Sequence, residues 1–280
     1  MKVDLENERL ELREDGNRSR VIVVDLNGKG DSVTVQGAVD MVPLNNSQRV
    51  KIYISPGIYR EKVLVPDSKP YISFIGDENR TAETVLTWNN KASDKDKDGC
   101  ELGTYRSASV TIESDFFCAT GITIENSVVA VPGDYGMQAV ALRIASEKAM
   151  FYRDCVLHST ATRSGAIAAH HRDTQDDDTG FSFVNCTING TGRVYLGRAW
   201  GTYSRAIYSY CDIDNIITPS GWNDWNQPSR QKTAVLGEYQ CRGKGADRRN
   251  RVAWSKSFSY EEVRPFLDVN FIGGDQWLRL

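Results

Sequence analysis

The 280-residue chain contains no run approaching the roughly 18 consecutive apolar residues of a membrane-spanning helix. Its opening, MKVDLENERLELREDGNR, has no apolar stretch of about 7–15 residues such as a secretory leader carries. It therefore reads as a soluble chain that is mature, truncated or not exported. Charge of either sign is not in excess: 34 Lys and Arg face 37 Asp and Glu, for a formal net charge of −3. Without a basic surplus, neither nucleic acid nor an anionic membrane surface is an expected partner. The six cysteines, Cys100, Cys118, Cys155, Cys186, Cys211 and Cys241, are too few for a disulfide framework at this length. None forms a C-x-x-C pair, which argues against a structural zinc site. There is no G-x-S-x-G elbow, H-E-x-x-H motif, P-loop or dinucleotide fingerprint. The three histidines, His158, His170 and His171, lie in Leu-His-Ser and Ala-His-His-Arg contexts at strand ends. They read as solvated or hydrogen-bonded turn residues rather than partners of a Ser–His or Cys–His dyad. No metal and no cofactor is expected.

What is present is a succession of short β-rich runs. They include Val50–Ile54, Lys62–Val65, Tyr71–Ile75, Ala108–Glu113, Ala139–Ile144, Phe181–Val184 and Arg205–Tyr210, each punctuated by Gly, Asn or Asp. Before them lies a charged segment, residues 1–30, read as poorly ordered. Asp31-Ser32 then offers a helix N-cap, and Val35, Ala38, Val39 and Val42 fall at i, i+3, i+4 and i+7 before Pro43. A weak helical patch, Tyr260–Leu267, and an apolar tail are expected to pack along the outside. Five N-x-S/T sequons, at Asn17, Asn45, Asn79, Asn185 and Asn189, suit a secreted chain but are short enough to arise by chance.

The informative signal is an internal repeat. Phe151-Tyr-Arg-Asp-Cys155-Val-Leu157, Phe181-Ser-Phe-Val-Asn-Cys186-Thr-Ile188 and Tyr208-Ser-Tyr-Cys211-Asp-Ile213 each run an aromatic strand into Cys-x-aliphatic and a polar turn. A similar element, Gly237-Glu-Tyr239-Gln-Cys241, follows. Spacings of this order, roughly 20–50 residues, mean stacked units that cannot bury their apolar faces alone. With strands in each unit, the stack is a parallel β-helix. The expectation is an all-β, single-domain, right-handed parallel β-helix over residues 31–280, its open end covered by the short N-terminal helix. The cysteines then form an internal ladder of small buried residues with no redox or catalytic role.

Four blocks resemble the plant-type pectin methylesterase (pectinesterase) family, in that family's order. They are Gly57-Ile-Tyr59-Arg-Glu61, Gln138-Ala-Val-Ala-Leu142, Leu196-Gly-Arg198-Ala-Trp200 and Gly221-Trp-Asn-Asp-Trp225. The resemblance continues through Gly103-Thr104-Tyr-Arg-Ser-Ala, Asp178-Thr-Gly-Phe-Ser-Phe-Val-Asn-Cys186 and Val252-Ala-Trp254-Ser, covering about Val33 to Leu278. It implies hydrolysis of the methyl esters of homogalacturonan. In that chemistry one carboxylate attacks the ester, a second acid protonates departing methanol, and glutamines supply the oxyanion hole. By the resemblance, Gln138 is an oxyanion or substrate contact, and Arg198 the arginine that orients the nucleophilic carboxylate. Trp200 is implied as the sugar platform and Thr104 as a substrate-binding residue. Ala199 stands where the family has proline. Tyr59 and Glu61 read mainly as structural. The resemblance further implies a monomer secreted to the cell wall, with methyl-esterified homogalacturonan as substrate and a proteinaceous pectinesterase inhibitor as partner.

One departure matters. The family's Q-D-T-L and D-F-I-F-G blocks, which carry the acid/base aspartate with a second glutamine and the nucleophilic aspartate, are missing: Arg153 runs straight into Asp154. The loop Asp173-Thr-Gln175-Asp-Asp-Asp-Thr-Gly180 contains Gln-Asp, but the Gly-Phe-Ser-Phe-Val-Asn-Cys that follows marks it as an ordinary solvated acidic loop. A missing piece of roughly 40 residues is near a whole number of coils, so the remaining solenoid is expected to stack. The expectation is family ancestry with activity absent or severely impaired. Its alternatives are a non-catalytic pectin-binding protein and a non-productive splice or gene-model variant. No block resembles the calcium-binding aspartates of a pectate lyase.

Overall fold

Runs of two to five residues rich in Val, Ile and aromatics become strands, each ended by the Gly, Asn or Asp that breaks them. The computed structural model describes residues 20–131, 133–152, 155–160 and 165–278. The chain divides into two units, one within Met1–Val128 and Tyr135–Arg153, the other within Val129–Asp134 and Asp154–Leu280. In a solenoid each coil packs on its neighbours, so compact units are runs of coils. The join between Arg153 and Asp154 lies outside the described residues.

The first unit contains β1 (Arg20–Val24), β2 (Val50–Ile54), β3 (Gly57–Arg60), β4 (Val63–Val65), β5 (Ile72–Ile75), β6 (Thr84–Trp88), β7 (Val110–Ile112), β8 (Phe117–Thr120), β9 (Thr123–Asn126), β10 (Leu142–Ile144) and β11 (Ala149–Phe151). They form three sheets, β1-β2-β5-β8-β11, β3-β6-β9 and β4-β7-β10. Every pairing is parallel. From β2 onward the chain visits the three sheets in fixed order, one coil per revolution. Register places like over like: Ile22, Ile52, Phe74, Ala119 and Phe151 form one inward column. The first four are buried, and each large member contributes roughly 1.5–3 kcal/mol.

The predicted helix is present as α1 (Val35–Asp40), with Val35, Ala38, Val39 and Val42 all buried against the first coil. Its N-cap is Thr34 rather than Asp31-Ser32. Thr34 Oγ1 accepts the Gly37 N–H at 3.0 Å, whereas the Asp31 carboxylate is occupied by the Val23 N–H at 2.8 Å. The G-x-Y-x-E block explains itself here. The Glu61 carboxylate accepts the N–H groups of Val35 and Gln36 at 2.8 and 2.9 Å, satisfying donors that a helix start leaves free. The buried Tyr59 donates its hydroxyl to the Ser55 carbonyl at 2.9 Å. Of the segment expected to be poorly ordered, residues 20–24 are β1, because Val21–Val24 complete the first sheet against β2; residues 1–19 lie outside the description. A one-turn helix, α2 (Gly103–Arg106), interrupts the path from β6 to β7.

The second unit contains β12 (Val156–Ser159), β13 (Ala166–His170), β14 (Phe181–Val184), β15 (Thr187–Gly190), β16 (Tyr195–Ala199), β17 (Arg205–Ser209), β18 (Asp212–Ile213), β19 (Trp222–Asn223), β20 (Val235–Tyr239) and β21 (Lys256–Ser257). Its sheets are β12-β15-β18, β13-β16-β19 and β14-β17-β20-β21, again parallel throughout. The cysteine ladder is real. Val156, Thr187, Asp212 and Arg242 are in register, so the cysteines preceding each of them form one column. Cys186, Cys211 and Cys241 form no disulfide among the described residues. Hydrogen bonding to the neighbouring thiol, with burial, pushes both Cys186 and Cys211 up to about 12. These are packing residues, not nucleophiles. The tail begins with α3 (Tyr260–Val263), closed by a Ser259–Glu262 capping box. It packs on the outer face of the third sheet, where Ser182 Oγ donates to the Phe266 carbonyl at 2.6 Å.

Candidate functional site

Two of the expected site residues, Arg198 and Trp200, sit on β16 and just past its end. Arg198 is not in a Gly-flanked turn but in the strand itself, paired between Ala169 of β13 and Asn223 of β19. Leu196 and Ala199 of the same strand are buried. Gly197 is required for packing: a Cβ there would stand 2.9 Å from Trp222 Cζ3, so the strand accepts the buried Trp222 indole only without a side chain. The Arg198 guanidinium lies between two rings, 5.9 Å from the Tyr195 centroid and 5.6 Å from the Trp225 centroid. Both distances are within cation–π range. Its Nε is buried without a hydrogen-bond partner. Among the described residues no carboxylate forms an ion pair with it. Burial lowers its pKa from the ordinary arginine value.

Trp200 follows the strand, its N–H donating to the Arg198 carbonyl at 3.0 Å. Its ring meets that of His171 edge to face at 4.8 Å. His171 Nε2 lies 3.5 Å from Asp173 Oδ1 on an exposed surface, a contact of little energetic weight. The rest of the acidic loop is solvated, apart from Asp178, which pairs with Arg205 at 3.0 Å.

Sequence reasoning missed the roles of Tyr195 and Trp225. Trp225 and Asn226 both have positive φ, 61° and 57°, and Gln227 N–H closes the turn onto the Asp224 carbonyl at 3.1 Å. This is the pattern of a primed two-residue turn. Asn is a usual occupant, but a tryptophan in the left-handed region costs on the order of 1–2 kcal/mol. The turn places the indole beside Arg198. The stretch before β19 is anchored by Arg251, whose Nε meets Glu238 Oε1 at 2.8 Å with both side chains almost wholly buried. Arg251 also donates to the carbonyls of Thr218 and Pro219 at 3.3 Å.

The other two expected residues, Thr104 and Gln138, lie in the first unit. Thr104 is exposed on α2, its carbonyl closing the turn with Ser107. Gln138 is not strand-borne, because β10 starts only at Leu142, and its side chain is exposed. The two segments are tied through Ala92, whose N–H donates to the Gln138 carbonyl and whose carbonyl accepts the Gly103 N–H, both at 2.8 Å.

A family model described as Pectinesterase matches residues 21–160 and again 155–275. The chain is 60% identical to Pectinesterase QRT1 of Arabidopsis thaliana over 304 residues, covering 94% of this chain and 80% of that one. It is 37% identical to Putative pectinesterase 11 of the same plant over 302 residues, covering 92% and 81%. Among solved structures it resembles pectin methylesterase from carrot, with 29% identity, a TM-score of 0.74 and coverage of 95% and 97%. The fold is also that of pectin methylesterase PemA from Erwinia chrysanthemi, at 18% identity, a TM-score of 0.67 and coverage of 91% and 96%. These are right-handed parallel β-helices, the class expected from the repeat. The 304 aligned residues exceed the length of this chain. Because 94% of 280 is about 263, about 41 residues of that relative have no counterpart here.

Proposed function

Because this chain belongs to the pectinesterase family, whose work is the modification of pectin, we propose that it is a pectin-recognising member in which methyl-ester hydrolysis is absent or severely impaired. The observation that carries the proposal is Arg198: a half-buried guanidinium with no carboxylate partner among the described residues and an unpartnered Nε. By the resemblance, this arginine serves a nucleophilic aspartate in one of the two absent blocks. The family match in two segments meeting at residues 155–160, and the roughly 41 uncounterparted positions of the 60%-identical relative, both support a missing internal piece. General acid–base assistance is worth roughly 10²–10⁴-fold, and the covalent route would be lost with it.

What remains favours recognition. Tyr195 and Trp225 offer aromatic faces beside Arg198, Trp200 follows on the same strand's end against His171, and Thr104 and Gln138 present exposed polar side chains in the first unit. One solved relative of this fold is a pectin methylesterase in complex with a hexasaccharide, at 18% identity. The cell wall is the compartment such a ligand implies. The deciding measurement is methanol release from methyl-esterified homogalacturonan by the purified chain. Release at the background rate is expected. Robust turnover would overturn the loss of activity, and turnover that survives Gln138→Ala and Arg198→Ala would overturn the site as well.

A further inference from the structure

We propose that the Arg198 site selects the free carboxylate of de-esterified galacturonate, so that this chain binds pectate in preference to methyl-esterified pectin. The inference rests on the reading above that Arg198 has no protein carboxylate to serve, and it names the ligand class that follows. An arginine presents a planar fork whose best complement is a carboxylate, taken by two parallel N–H···O bonds. Arg198 is half-buried with the Tyr195 and Trp225 rings within cation–π distance of its guanidinium, and among the described residues no carboxylate pairs with its fork. A half-buried cation without an ion-pair partner carries a desolvation cost that a ligand anion offsets.

The chemistry of the two ligand forms then differs at one group. A methyl ester offers only a neutral carbonyl acceptor, and its methoxy carbon occupies the place of the second oxygen. A galacturonate carboxylate offers both oxygens and a charge. The surrounding rings suit a sugar that carries this group, since pyranose faces are apolar on their C–H side and Trp200 and Trp225 are partly exposed. Trp225 is held in a strained left-handed turn, a cost that persists where the geometry is used.

The test compares two hexasaccharides by calorimetry with the purified full-length chain: hexagalacturonate and its fully methyl-esterified form. The de-esterified ligand is expected to bind about tenfold or more tightly, the difference associated with a charged over a neutral hydrogen-bonded pair, and to weaken as salt rises. Arg198→Gln should erase the difference, and Arg198→Lys should keep part of it, since charge remains but the fork is lost. Trp225→Leu should weaken both ligands together. Equal affinity, preference for the ester, no binding of either hexasaccharide, or a preference that survives Arg198→Gln would each overturn the proposal. The comparison between ligands on the unmodified chain decides the matter even if a variant fails to fold. Methanol measured in the same ester samples separates the two readings: release overturns the loss of activity, whereas a missing preference without release overturns only the carboxylate selection.

Discussion

His170 makes the stability of the second unit depend on pH in a direction the structure dictates. The ring ends β13, is 8% exposed, and meets Phe181 edge to face at 5.2 Å. Its Nδ1 accepts the backbone N–H of Arg205 at 3.0 Å, and Nε2 lies 3.5 Å from Thr179 Oγ1. That pattern fixes a neutral ring with its proton on Nε2, because a protonated Nδ1 would point a second N–H at the Arg205 amide. Burial, followed by the nearby charges of Arg172, Arg205 and His171, lowers its pKa from 6.5 to about 4.

In the unfolded chain the same imidazole titrates near 6.5. Between about pH 6.5 and 4 the unfolded state therefore binds the proton and the folded state does not, so stability is full above the unfolded value and falls as pH drops through this window. A shift of about 2.5 units corresponds to about 3 kcal/mol over the window. The assay is urea unfolding, followed by tryptophan fluorescence, at pH 7, 5.5 and 4 for the wild type and His170→Gln. The glutamine carbonyl can still accept the Arg205 N–H but does not titrate. Carboxylates also titrate at the low end, so the informative quantity is the wild-type loss minus the variant loss, expected near 3 kcal/mol. Parallel pH profiles for the two proteins, or a wild type that gains stability on acidification, would refute the reasoning.

Arg251→Met should destabilise by about 3–5 kcal/mol, because it strands the buried Glu238 carboxylate, while Arg251→Met with Glu238→Leu should recover part of the loss; denaturant midpoints check both. Glu61→Ala frees the Val35 and Gln36 amides at the start of α1 and should cost about 1–2 kcal/mol, read as a lower Tm. Under a thiol reagent at pH 8, the exposed Cys100 should label first and the buried Cys211 last, with Cys100→Ser removing the fast phase. Restoring between Arg153 and Asp154 a segment that carries the Q-D-T-L and D-F-I-F-G blocks should raise methanol release by at least about 10²-fold. A folded chimera that stays at background would count against the missing-segment reading.

The parts of this fold that were legible in sequence are those set by short-range spacing. The i, i+3, i+4, i+7 pattern placed α1, and the recurring aromatic-to-Cys element placed the ladder, because parallel in-register stacking repeats a local motif once per coil. What stayed hidden depends on partners distant in sequence. Thr34 rather than Asp31 caps α1 because Asp31 is taken by Val23. The run Ala139–Ile144 read as one strand, yet only Leu142–Ile144 pairs, and the Ala92 N–H takes the Gln138 carbonyl in the loop before it. Trp225 gave no turn signal, since a tryptophan is not a residue that chooses positive φ; only the Asn226 beside it hinted at the turn.

The ladder and the site also differ in how they tolerate loss. A coil contributes one residue to each inward column, so the columns through Cys186 and Cys211 remain continuous whichever coils are neighbours. A catalytic set has no such redundancy, because its members are single side chains on particular coils. An arginine deprived of its carboxylate would ordinarily be a liability to the fold when half-buried, at a cost of several kcal/mol for an unpaired charge. Here the rings of Tyr195 and Trp225 lie 5.9 and 5.6 Å from the guanidinium, each offsetting roughly 0.5–2 kcal/mol. The Trp225 indole, although its backbone is at positive φ, thus lies where it offsets part of the cost of the cation beside it.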